Sequence, residues 1–175
     1  MTIHKYIGGQ DCGKTSLMVN GAIYDHYVLK YNHPGEQFGN LHLDLKHYTY
    51  LPSEGIIELM AVMIRRKWLH KCLYIDEADR VLSPYWWFKE EQQDAVLGSW
   101  QDVKMYNIIR FTTHFGDVNI MLRRATQRVI LPHYFKEYDA TLAKLIRPHD
   151  RWYTHRIMYH VSQGFDCYDR WEVIV

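Results

Sequence analysis

The sequence predicts an α/β fold with a mostly parallel central sheet and helices on both of its faces. Short apolar runs alternate with segments of helical spacing, a glycine-rich turn joins the first strand to the first helix, and later strands end in polar residues at one edge. The chain has 175 residues, 47% of them hydrophobic and 23% charged, with a formal net charge of +1. That profile fits a single domain over residues 1–175 of ordinary size. The near-neutral charge neither points to nucleic acid nor excludes a local basic patch.

His4 to Ile7 reads as a buried strand, GGQDCGKTS follows at once, and SLMVNGAIYDHYVLKYN has helical spacing. Gly8, Gly13, Lys14 and Thr15 fit G-x-x-x-x-G-K-[ST] in the strand–loop–helix context that this motif needs. Such a loop turns backbone N–H groups inward around phosphate oxygens, which requires glycine where a Cβ would collide or where φ must be positive. The expected nucleotide cradle is therefore Gly8, Gly9, Gln10, Asp11, Cys12, Gly13, Lys14, Thr15 and Ser16. Lys14 is placed to reach the β- and γ-phosphates, Thr15 to put its hydroxyl on Mg²⁺, and the helix adds its positive end. Cys12 reads as a small side chain turned away from the phosphates.

Asn40 to Leu45, NLHLDL, alternates apolar and polar residues and predicts a strand. SEGIIELMAVMIRRKW then reads as a helix capped by Ser53. CLYIDEAD follows, and its last letters spell the name of an RNA helicase family. A helicase of that kind clamps its strand between two domains, and this chain has the length of one. The stretch reads instead as an apolar strand, Cys72 to Ile75, delivering Asp76 and Glu77 to the sheet edge where ligands gather. Asp76 is placed to share the Mg²⁺ shell with Thr15, and Glu77 to orient and polarise the water that attacks the γ-phosphate. A strand and a helix between loop and acidic pair match the P-loop division that has an additional strand and a catalytic glutamate.

SPYWWFKEEQQDAVLGSWQDVKM predicts an aromatic turn and a helix, and YNIIRFTTH a fourth strand. Its end brings Thr112, Thr113 and His114 to the edge of Glu77, where a polar side chain can sense the γ-phosphate or the attacking water, Thr113 and His114 being the sensor candidates; an ordinary strand end is the alternative. GDVNIMLRRAT reads as a short helix capped by Asp117, with Arg123 and Arg124 in its last turn, and QRVILP as a fifth strand. At the C-terminus, about 151–175, two aromatic and β-branched runs flank Ser162 to Gly164 and predict a β-hairpin.

The 3 cysteines have no CxxC spacing, and the 11 histidines form neither HxxxH nor HExxH. Neither a zinc site nor a disulfide framework is suggested, and a reduced, cytoplasmic setting is expected. No run approaches the roughly 20 apolar residues of a membrane span, so no stable membrane insertion is expected.

The order of phosphate loop, strand ending in Asp-Glu, and QDVKMYNIIRFTTHFGDVNIMLRRATQRVI resembles the HerA/FtsK-type ATPases. The resemblance covers about residues 3–131 and is to viral genome-packaging ATPases and zonula occludens toxin-like phage proteins in particular. FDCYDRWEVIV is similar to the closing segment of such viral ATPases, while His114 stands where that family usually has Gln. The resemblance implies a RecA-like P-loop NTPase sandwich that hydrolyses ATP with Mg²⁺. It also implies a homo-oligomeric ring, pentamer or hexamer, acting on double-stranded DNA with capsid vertex proteins as further partners, in the host cytoplasm or the virion. In such rings a neighbour's arginine reaches the nucleotide. Arg123 and Arg124 are the candidates, with Arg110, Arg128 and Arg80 as substitutes, and a solvated helix end is the alternative reading of the pair. A phage assembly or export ATPase, and a nucleotide-gated binding module without turnover, are the rival functions.

Overall fold

The computed structural model describes residues 2–82, 107–114 and 125–159. Its elements are β1 (Thr2–Ile7), α1 (Lys14–Tyr27), β2 (Gln37–Gly39), β3 (Tyr48–Tyr50), α2 (Ser53–Arg66), β4 (Cys72–Ile75), the single turn α3 (Ala78–Val81), β5 (Ile108–Thr113), β6 (Arg128–Phe135), β7 (Ala140–Arg147) and β8 (Trp152–Tyr159). Among the described residues these strands form one eight-stranded sheet in the order β3-β2-β4-β5-β1-β6-β7-β8. All neighbours from β3 to β6 pair in parallel, and β7 and β8 are antiparallel. The expected α/β architecture, with its antiparallel C-terminal hairpin, is what the chain adopts.

Apolar character on both faces of the central strands explains why they are central. Leu73 and Ile75 of β4 join Ile3, Ile109 and Phe111 in a core completed by Ile56 and Met60 of α2. Cys72 and Tyr74, of the opposite parity, join Tyr6 and Ile108 in a second core under Leu17, Met18 and Ala22 of α1. A strand buried on both sides needs this continuous apolar run, whereas β8, with Tyr153 60% and Ile157 59% exposed, does not supply it.

The α1 face also buries a charged pair. Arg110 of β5 meets Asp25 of α1 through two hydrogen bonds, Nε to Oδ2 at 2.8 Å and Nη2 to Oδ1 at 2.6 Å. The Tyr74 hydroxyl donates to the same carboxylate at 3.1 Å. Removing one partner of such a pair strands a buried charge at a cost of about 3–5 kcal/mol. Gly21 makes room for it, because a Cβ there would sit 2.9 Å from Arg110 Nε.

Three boundaries differ from the sequence reading. Residues 40–45 form no strand: β2 ends at Gly39 and β3 begins at Tyr48. Their alternation is real, with Leu41, Leu43 and Leu45 buried in the α1-side core, but it reports one-sided burial without a ladder. The pairing alongside β4 comes from Gln37–Gly39 instead. Helix α2 begins at Ser53 itself, since Pro52 supplies the first accepting carbonyl, to Ile56 N at 3.0 Å. The hairpin described is β7–β8, which turns through residues 148–151; the turn expected at Ser162 to Gly164 lies outside the described residues, as do the helix expected around residues 83–105 and all but Ala125 and Thr126 of the one expected over 116–126.

Candidate nucleotide site

The registers set the site. Ile75 pairs with Phe111 and Ile7 with Thr113, so β1, β4 and β5 end nearly flush and open Gly8, Asp76 and Thr112 onto one edge. In the sheet β5, which follows the acidic pair in the chain, lies between β1 and β4; the strand expected at residues 40–45 is not the one that separates them.

The two loop glycines answer different needs. Gly13 has φ +90°, a left-handed conformation, and its Cα packs on the β6–β7 hairpin, where a Cβ would lie 3.2 Å from that of Tyr134. At Gly8 the obstacle is Cys12, whose Sγ would be 2.5 Å from an added Cβ. Gln10 and Asp11 are exposed at the loop tip. Lys14 is the first residue of α1, and its ammonium donates to the carbonyls of Gly8 at 3.0 Å and Gly9 at 2.5 Å. The cation is thereby held across the loop mouth with only 8% of the residue exposed.

Thr15 Oγ1 lies 3.0 Å from Asp76 Oδ1 and 3.2 Å from Oδ2. A second hydroxyl, Thr112 Oγ1, donates to Asp76 Oδ1 and accepts from Glu77 N at 2.9 Å, using both its capacities to tie the acidic neighbours together. Asn40 completes the frame: its Oδ1 accepts from Asp76 N at 2.7 Å and its Nδ2 donates to Asp76 O at 2.9 Å. Its side chain thus extends the β2–β4 pairing by one residue.

Glu77 adopts a left-handed φ of 48° as it opens α3, and its carboxylate meets Arg80 Nε at 2.8 Å. With Arg80 64% exposed, that ion pair is worth about 0–1 kcal/mol, weak enough for a competitor to break. Thr113 faces the other way: it is wholly buried, and its hydroxyl donates to His114 O at 3.1 Å. His114 turns toward Asp79, with Nδ1 3.5 Å from Oδ2. The structure therefore brings together Lys14, Thr15, Asp76 and Glu77, places His114 beside Asp79, and directs Thr112 rather than Thr113 to the acidic pair. Arg110 is buried on Asp25, Arg80 is on Glu77 of its own chain, and Arg123 and Arg124 lie outside the described residues.

Burial raises the pKa of Asp76 above its ordinary value, and hydrogen bonds from Thr112 and Thr15 only partly offset this. A carboxyl whose folded pKa is raised binds more protons in the native state. Stability of the free protein therefore falls as pH rises from the ordinary Asp pKa of about 3.9 through the raised folded value. Above that window the full cost of the buried charge is present. Asp76→Asn is accordingly expected to be the more stable protein at neutral pH and to lose this part of the acid-side dependence. Urea unfolding across pH measures it, and an equal or greater loss of stability at neutral pH would refute it.

No protein-family model matches the chain, and no curated protein does. Solved structures do. The N-terminal domain of zonular occludens toxin from Neisseria meningitidis superposes with a TM-score of 0.63 at 13% identity, covering 96% of this chain and 98% of that one. This chain has the P-loop NTPase fold. The genome-packaging NTPase B204 of Sulfolobus turreted icosahedral virus 2, in complex with ATPγS, gives a TM-score of 0.59 at 13% identity over 91% of this chain and 98% of its own. Flagellar accessory protein FlaH of Methanocaldococcus jannaschii gives 0.57 at 13% over 90% and 84%. The resemblance to packaging ATPases and zonula occludens toxin-like proteins thus holds at the level of fold. Among the described residues no helix is long and apolar enough to cross a membrane.

Proposed function

We propose that the chain is an ATP-hydrolysing motor subunit that assembles into a homo-oligomeric ring and translocates double-stranded DNA, packaging a viral genome into its capsid. The observation that carries the chemistry is the meeting of Lys14, Thr15, Asp76 and Glu77 on one edge, with β5 between their strands. The donor set suits Mg²⁺, a hard cation that takes oxygen ligands and is held by one or two carboxylates together with substrate phosphates. Thr15 and Asp76 would hold it, where it would neutralise charge on the nucleotide. Lys14 exchanges its loop carbonyls for phosphate oxygens. Thr112 ties the Asp76 carboxylate to the Glu77 backbone, so a change at one is felt at the other. Glu77, released from Arg80, orients and polarises the attacking water.

DNA translocation is supported by the neighbours' stated roles, B204 being described as a genome-packaging NTPase. In this reading the protein works in the host cytoplasm or the virion, against a capsid vertex. An export ATPase is the second reading, favoured by the 96% coverage against the zonular occludens toxin domain.

Phosphate release with and without double-stranded DNA separates them: the packaging reading expects DNA to stimulate turnover, and a rate indifferent to DNA would favour export. Assembly is tested by mixing. Lys14→Ala subunits keep their arginines, and Arg123→Ala/Arg124→Ala subunits keep their phosphate loops, so neither alone should turn over while a mixture regains activity at boundaries joining an intact loop to an intact arginine. Full activity of the double-arginine variant alone would show that these residues do not act on the nucleotide.

A further inference from the structure

On the α1 face, between that helix and the start of β6 with the facing ends of β7 and β8, lies a cavity of about 470 Å³. It is not part of the nucleotide site. Arg128 on its wall and Tyr134, which packs on Gly13, are separated on β6 by about 20 Å of strand at roughly 3.3 Å per residue.

The charges around it are one-sided. Arg128, Arg147 and Arg156 line it, are exposed, and pair with no carboxylate among the described residues. Arg110 and His4 line it from below. Arg110 already has Asp25, and its Nη1 is 2.5 Å from His4 Nδ1. Since an arginine only donates, His4 Nδ1 accepts and the ring hydrogen sits on Nε2, a buried group with no hydrogen-bond partner. Burial and then the charges of Arg110 and Arg128 lower the His4 pKa to about 2, so the ring is a neutral donor. Burial, then repulsion from Arg147, Arg110 and Arg156, also lowers the pKa of Arg128. Cations gathered without a counter-charge cost free energy that an anion would return.

The walls argue for more than a bare ion. Leu17, Ile130, Leu145 and Met158 are apolar, and Trp152, 45% exposed, carries the Arg147 guanidinium over its ring at 4.8 Å. The volume lies within the range of small-molecule sites. Guanidinium forks match phosphate oxygens, and an aromatic face accepts a stacked base. We propose that this cavity is a second anion site that takes a nucleotide unit, its phosphate among Arg128, Arg147 and Arg156 and its base against Trp152. Such a unit comes either from a free nucleotide or from a single strand of nucleic acid. The proposal does not depend on the motor reading.

The test uses full-length Lys14→Ala protein, in which the phosphate loop is silenced. ADP is titrated by calorimetry, and a fluorescein-labelled oligothymidylate by anisotropy at several salt concentrations. At least one should bind, and Arg147→Gln/Arg156→Gln in the same background should weaken it by about tenfold or more. ADP binding identifies a free nucleotide. Oligonucleotide binding without ADP binding identifies a strand, and its salt slope should then become shallower by about 1.4, at roughly 0.7 per cation on single strands. Trp152→Ala should weaken the same ligand without changing that slope. Both arginines are exposed, so the substituted protein is expected to fold, and circular dichroism checks this. The proposal is overturned if neither ligand binds Lys14→Ala protein, if only inorganic phosphate does, or if the arginine substitutions leave affinity unchanged.

Discussion

Lys14→Ala is expected to lose ATP binding while keeping its fold. The ammonium is held 3.0 Å from Gly8 O and 2.5 Å from Gly9 O, so the fold holds a cation across the mouth of the loop. Its charge-assisted bonds to phosphate are worth about 1.5–3 kcal/mol each. Two of them correspond to about 10²–10⁴ in affinity. The substitution also frees the two carbonyls, which then turn partial negative charge toward the site. Calorimetric titration of ATP against a variant whose circular dichroism matches the parent measures the effect. Affinity within a few-fold of the parent would remove the phosphate-loop assignment and everything built on it.

What was legible in the sequence was local. Gly8 to Thr15 announces its loop because every residue it needs is within one turn, and CLYIDE because an apolar run and two carboxylates are adjacent. Partners chosen by register were not. Thr112 and Thr113 are neighbours of the same type, and only the pairing of Ile75 with Phe111 puts Thr112 on the face of Asp76 and turns Thr113 to the α2 side. Parity was the available signal: Tyr74 and Asp76 share a face of β4, and Thr112 pairs across from that face.

Asn40 was hidden for a related reason. It sat inside a segment that alternation predicts as a strand, whereas its side chain takes over from the ladder just where β2 stops. Alternation cannot distinguish a strand from a loop that buries every second leucine. Arg110 stood among the substitute finger candidates; its partner, Asp25, is 85 residues away and arrives only when α1 packs on the sheet. The hairpin turn at 148–151 follows Arg147 in RPHDR, whose Pro and Asp are turn residues, a local signal that the sequence reading did not use.

Glu77→Gln is expected to bind ATP as the parent does and to hydrolyse it about 10²–10⁴ times more slowly, the usual contribution of a positioned general base. The separation of binding from turnover follows from what the substitution leaves untouched. Lys14 and Thr15 make their contacts without the Glu77 side chain, and the Glu77 backbone is fixed by Thr112 Oγ1 at 2.9 Å and by the first turn of α3. The amide has the shape of the carboxylate and still accepts from Arg80, so the left-handed turn and the exposed pairing at 2.8 Å survive in weakened form. Only the negative charge that polarises water is lost. Single-turnover hydrolysis and nucleotide titration on the same preparation give the two quantities independently. Parental turnover would make Glu77 a bystander and leave the activation of water to another residue. If affinity and turnover fall together, Glu77 instead supports the loop, because a base acting only on the attacking water has no contact through which to weaken the bound nucleotide.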